Sequence, residues 1–310
     1  MGQCGSRPQA TPAALPRAAS LPKEKKWQCV LDAMDAKGLP YQTTVSLLHG
    51  LKRKRKITIY IHFQKMPTGS TVSATTTDNL LKAYQQAINQ WVSVLGFENV
   101  QVVPFGFAFG NGVTPDASFV AKYGQYPVVH NAVPNFDKSP WESNIGNLSS
   151  VTANLYTLEV SRTRSNAGDT FPVTRDDWQT YTHPQGATGF QSVLCVTSEE
   201  NPRGVSGEAQ RHYIKVYKFN GTTDPLFKSV LLHEMGHVFG LDDLYDTGKY
   251  GGNMQCGPRT VNIQKEVSSV MLQTKAGATL TPFDKEQIKH AWKKAKQHLE
   301  THKAMQTNGA

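Results

Sequence analysis

The chain has 310 residues with 38% hydrophobic and 18% charged side chains, a globular balance that excludes a fibrous or wholly disordered protein. Its formal net charge is +9, yet the basic residues gather mainly in Lys52-Arg53-Lys54-Arg55-Lys56 and in the late series Lys285, Lys289, Lys293, Lys294 and Lys296. No nucleic-acid motif accompanies either, so nucleic acid is not expected as a partner.

In chain order, residues 1–22 are rich in Pro, Ala, Ser and Arg and read as a flexible leader. Gly2 followed by Ser6 fits the N-myristoylation pattern, and Cys4 beside it is placed for a second acyl chain. Two chains would anchor the protein to a membrane where one would not; a plain disordered tail is the competing reading. No continuous apolar secretion signal or membrane-spanning run is seen. The expected location is therefore the cytoplasm or, through the lipid anchor, a membrane surface.

Residues 23–51 are expected to form a short helix and a linker. Over 24–36, Trp27, Val30, Leu31 and Met34 recur at helical spacing, with Cys29 among them as a structural cysteine. The four cysteines, Cys4, Cys29, Cys195 and Cys256, are too few for a disulfide scaffold, although one Cys195–Cys256 bridge stays open. The main domain is expected over 52–303, with a tail at 304–310. Its first strand is predicted over 56–63, where β-branched and aromatic residues alternate. A helix opening at 75–78 and closed by Gly96 follows, then a strand over 99–109. That order predicts a right-handed βαβ unit with a parallel pair. Residues 110–190 lack periodicity and predict long loops with short strands; further strands are predicted over 192–197 and 212–219.

Phe227, Val230, Leu231, Met235, Val238 and Phe239 mark one face of a helix over 224–240, with Asp224 as N-cap and Pro225 at the first helical position. His233 and His237, four residues apart, lie on the same side one turn apart and can share an ion. Two neutral imidazoles and a third ligand leave a position open for water, an arrangement expected of zinc. Glu234 can reach that water without occupying the ion, as general acid/base. Gly240 ends the helix in the left-handed conformation and turns the chain back, so that Asp243 can complete the set. Asp242 and Asp246 stay open as rivals, and Glu286 is the one later carboxylate in contention.

The pattern H-E-x-x-H-x-x-G-x-x-D, followed by Val267-Ser268-Ser269-Val270-Met271, resembles the metzincin metallopeptidases. The final ligand there is usually His and is Asp in the snapalysin-like branch. The resemblance covers 227–300 well and the region from 56 onward loosely. It implies an α/β (α+β) zincin domain with a twisted mixed sheet, an active-site helix, a methionine turn at Met271, and a C-terminal helix after Leu280-Thr281-Pro282-Phe283-Asp284. It also implies a zinc endopeptidase, expected to be a monomer acting on a protein or peptide substrate. His233, His237 and Asp243 would be its ligands and Glu234 its acid/base. The tyrosine that some members carry after the methionine turn has no counterpart, since Leu272 and Gln273 follow Met271; Tyr245 or Tyr250 are the substitutes. With a carboxylate ligand the ion keeps less positive charge, so an alkaline optimum is expected. The competing function is a membrane-tethered binding or scaffold protein with a silent zinc site, against which the intact Glu234 speaks.

Overall fold

The computed structural model describes residues 23–35, 56–97, 100–126, 128–130, 190–210, 213–256 and 259–308. The expectations at Gly2, Cys4, 52–55 and 131–189 lie outside them. Strand β1 (Lys56–Lys65), helix α2 (Ala74–Ser93) and strand β2 (Gln101–Phe109) follow the expected order. β1 and β2 are parallel, with Ile57 opposite Val102 and Phe63 opposite Phe109. Helix α2 begins earlier than expected because Ser73 caps it, its Oγ accepting the Thr76 N–H at 3.0 Å.

Strand β4 (Phe190–Thr197) pairs in parallel with the other side of β1, and β6 (Tyr213–Val216) pairs in parallel with β4. Two short strands that sequence patterning did not isolate complete the sheet. β3 (Val128–His130) extends the β2 edge, and β5 (Gly207–Gln210) runs antiparallel to β6. Among the described residues the result is a mixed six-stranded sheet of order β3-β2-β1-β4-β6-β5.

Alternation along β1 sends Ile57, Ile59, Ile61 and Phe63 into one core with Leu80, Tyr84, Ile88 and Trp91 of α2. Phe227, Leu231 and Met235 of helix α4 (Pro225–Val238) join the same core. Each such side chain stabilises the fold by roughly 1.5–3 kcal/mol through burial. Helix α3 (Ala117–Tyr123) was not foreseen, although Asp116 is an ordinary N-cap, its Oδ1 accepting the Phe119 N–H at 2.9 Å. Phe119 seats its ring edge-on against Phe107 and Phe109, centroids 5.0 and 5.2 Å away.

Beyond α4 come α5 (Thr247–Tyr250), the antiparallel pair β7 (Asn253–Cys256) and β8 (Arg259–Asn262), α6 (Ile263–Glu266), and the long α7 (Pro282–Asn308). Helix α7 continues past the expected boundary at 303.

The N-terminal helix α1 (Lys23–Asp35) is part of this body: Val30, Leu31 and Met34 are buried in the shared core. Trp27 packs edge-on against Phe283 of α7 with centroids 5.2 Å apart. Cys29 forms a disulfide with Cys256 of β7 across a separation of 227 residues. This corrects the Cys195–Cys256 possibility. Cys195 is buried in β4 and forms no disulfide, whereas Cys29 and Cys256 have their Cα atoms 5.5 Å apart, within bridging range. No helix among the described residues is long and apolar enough to cross a membrane.

Candidate metal centre

Helix α4 starts as its sequence predicts, with Asp224 Oδ1 accepting the Leu226 N–H at 2.8 Å and Pro225 in the first turn. Its middle is fixed from α2, where the buried Trp91 indole donates to the Leu232 carbonyl at 2.9 Å. Its end is a Schellman closure. The Gly240 N–H bonds the His237 carbonyl at 2.8 Å and the Leu241 N–H bonds the Gly236 carbonyl at 3.0 Å, with Gly240 at φ 82°. That left-handed residue redirects the chain so that Asp243 returns to the helix face carrying the histidines.

His233, His237 and Asp243 meet there. Asp243 Oδ1 lies 3.1 Å from Nε2 of His233 and 3.1 Å from Nε2 of His237. The other ring nitrogens face backbone carbonyls: Nδ1 of His233 is 2.7 Å from Val270 O, and Nδ1 of His237 is 2.7 Å from Leu241 O. A carbonyl can only accept, so each Nδ1 carries the hydrogen and each Nε2 presents a lone pair. Asp243 Oδ1 is itself buried and makes no hydrogen bond of acceptable geometry among the described residues. With both imidazoles neutral, two lone pairs and a carboxylate oxygen thus converge, and a cation at the centre, or a proton held between an imidazole and Asp243, relieves their repulsion. The separations suit that cation, since a tetrahedral ion with bonds of 2.0–2.1 Å holds its ligand atoms about 3.3 Å apart.

The rival carboxylates are engaged elsewhere. Asp242 Oδ2 accepts the Tyr250 hydroxyl at 3.0 Å. Asp246 Oδ1 accepts the Gly248 N–H at 2.9 Å. Glu286, on α7, pairs with Lys289 at 2.8 Å.

Met271, the residue after the carbonyl that faces His233, is fully buried. A Cβ added at Gly236 would stand 2.3 Å from the Met271 sulfur, so the absence of a side chain at 236 lets Met271 pack against α4. The Met271 carbonyl accepts the Leu244 N–H at 2.9 Å, fastening the Asp243 loop to the same turn.

Electrostatics follow from this crowding. Burial pushes the Glu234 carboxyl up to about 8, with the Asp243 and Glu208 charges acting in the same direction and His233 opposing them. Burial also disfavours a charged His237, but the Asp243 carboxylate outweighs it and the imidazole sits above its ordinary value. Asp243 moves the other way: burial raises it, yet the two imidazoles hold it well below the carboxylate range. Without an ion, a proton on imidazole does part of the ion's work.

Two neighbours face Glu234 and the histidines. Gly207 of β5 stands close enough that a Cβ there would lie 2.5 Å from Glu234 Oε1, so the antiparallel edge strand runs beside the carboxyl. Tyr245 is half exposed and stacks on His233 at 6.2 Å. Its hydroxyl bonds the Asp243 carboxylate, and burial followed by that contact keeps it protonated well above the usual range.

Sequence reading missed Asp284, which is fully buried and accepts hydrogen bonds from Ser269 and Val270. The signal was present, since Thr281-Pro-Phe-Asp284 is a capping-box spacing. The Thr281 N–H donates to Asp284 Oδ2 at 2.8 Å and the Asp284 N–H to Thr281 Oγ1 at 3.3 Å. Among known proteins, no family model, curated protein or solved structure gives a significant match to this chain.

Proposed function

We propose that this protein is a zinc-dependent endopeptidase of metzincin type, with the ion held by His233, His237 and Asp243. The observation that carries this reading is the convergence of two Nε2 lone pairs and Asp243 Oδ1 at 3.1 Å, next to a carboxyl that none of the three ligands needs. Zinc bound there would act as a Lewis acid, acidifying water and polarising a substrate carbonyl.

Glu234 supplies the proton traffic. In the metal-free chain burial raises its carboxyl to about 8; the positive charge of a bound ion would lower that value and leave a carboxylate to take a proton from the attacking water and return it to the departing amine. A purely structural site has no use for such a base and is usually closed by a fourth protein ligand. The Tyr245 hydroxyl, protonated and beside the ligand set, is the candidate donor to the developing oxyanion. Tyr250 is spent on Asp242. Among the described residues β5 beside Glu234 is the edge strand of the sheet, a place where an extended peptide can align by strand addition. Proteins or peptides are therefore the proposed substrates.

The Cys29–Cys256 bond fits an oxidising compartment better than a reducing cytosol.

The test compares wild type with Glu234→Ala on a mixed peptide library at equal zinc content. Turnover is expected to fall about 10²–10⁴-fold. Equal, negligible cleavage by both would favour the silent binding protein. A pH series in the same assay is expected to place the rising limb of wild type on the alkaline side of that of Asp243→His.

A further inference from the structure

We infer that Asp284 is a positioning residue for the metal centre, acting through the methionine turn to fix the orientation of the His233 imidazole. This rests on the metal reading above and adds a residue that neither touches the ion nor lies near it in sequence.

The contacts form a continuous relay. Asp284, fully buried at the start of α7, accepts the Ser269 hydroxyl on Oδ1 at 2.5 Å and the Val270 N–H on Oδ2 at 3.2 Å. The Ser269 oxygen in turn accepts the Met271 N–H at 3.0 Å. That N–H belongs to the planar peptide unit joining residues 270 and 271, whose other end is the Val270 carbonyl. The same carbonyl accepts Nδ1–H of His233 at 2.7 Å.

Holding one end of a rigid peptide plane fixes the direction of the other. Asp284 therefore governs two successive peptide units: the one before Val270 directly, and the one after it through Ser269. The second sets both the tautomer and the ring angle of His233. Such outer partners commonly change metal affinity by about 10–100-fold when removed.

Asp284 is in turn stationed by elements outside the site. Its carboxylate accepts the Thr281 N–H at 2.8 Å in the capping box that starts α7. The adjacent Phe283 is packed against Trp27 of α1. The N-terminal helix thereby buttresses the residue that orients the ligand.

The experiment measures Co(II) and Zn(II) affinity of the full-length protein, with the visible spectrum of the Co(II) form as a direct readout of ligand geometry. Asp284→Ala is expected to weaken Co(II) binding about 10–100-fold and to alter the band pattern. Asp284→Asn retains an acceptor for the Val270 N–H and should stay closer to wild type. Ser269→Ala breaks only the relay through Met271. It should shift the spectrum in the same direction as Asp284→Ala, with effects that fail to add in the double variant.

Phe107→Leu, a buried ring change in β2, serves as a destabilised control with wild-type affinity. If Asp284→Ala does not fold, Ser269→Ala decides. Wild-type affinity and spectrum in whichever of Asp284→Ala and Ser269→Ala folds, or the same affinity loss in Phe107→Leu, would overturn the inference alone. A wild-type chain that binds neither ion overturns the metal reading and this inference with it.

Discussion

Two groups of histidine and aspartate among the described residues bring their ligand atoms within 4.8 Å of one another: His233, His237 and Asp243 at the end of α4, and Asp32, Asp35 and His290 where α1 meets α7. By residue type they look alike, but their hydrogen bonding separates them. In the second group the protein already supplies the positive charge. Asp35 Oδ2 lies 2.8 Å from the Lys294 ammonium and 2.8 Å from Nε2 of His290, and Asp32 Oδ1 accepts the Gln28 amide at 2.8 Å. In the first group both Nδ1 atoms are committed to carbonyls, so in the neutral rings the nitrogens turned inward present lone pairs. The lesson is that proximity of ligand-type residues does not make a metal site. The decisive feature is which tautomer the backbone imposes and whether a side-chain cation has taken the ion's place.

The comparison is most directly broken by substituting one histidine from each group. His233→Ala or His237→Ala is expected to abolish stoichiometric zinc in elemental analysis, whereas His290→Ala should keep one ion per chain. Loss of the ion from His290→Ala alone would reverse the assignment.

A smaller effect probes what the α1 region contributes instead. Cys29→Ser opens a bridge between residues 227 apart, and unfolding in urea should show a loss of about 2–5 kcal/mol. Zinc content of the folded protein should stay unchanged. A parallel fall in zinc occupancy under native conditions would mean that the two regions are not separable.

The smallest expected effect concerns pH in the metal-free protein. Glu234 rises from 4.5 to about 8 on folding, so near neutrality the folded chain retains a proton that the unfolded chain has released. The associated stability is complete below about 4.5 and is lost as pH rises through about 8. The raised His237 works in the same sense, while the lowered Asp243 matters only in acid. Thermal unfolding of chelator-treated protein should therefore occur at lower temperature at pH 9 than at pH 6, with a shallower dependence in Glu234→Gln. An equally steep dependence in that variant would remove Glu234 as its source.

Much of the frame was legible beforehand because its signals are local. The alternation in β1 and the apolar stripe of α2 are read over ten to twenty residues, and the parallel pairing of β1 with β2 follows from their order. Strands β3 and β5 were missed because three or four residues are too short to establish a period, and they become strands only by pairing with β2 and β6. The short α3 was hidden in a Gly- and Pro-rich stretch, although Asp116 and the Phe119/Tyr123 spacing marked it.

By itself the sequence determined that two imidazoles and a carboxyl would share one helix, and that Gly240 would end that helix. Helical spacing and the steric freedom of glycine are properties of a few consecutive residues. Which aspartate reaches the imidazoles, which cysteine meets Cys256, and what Asp284 holds were decided by tertiary structure alone. Each depends on segments brought together from different parts of the chain, where neighbouring candidates such as Asp242 and Asp243 differ in the partner they meet and not in their chemistry.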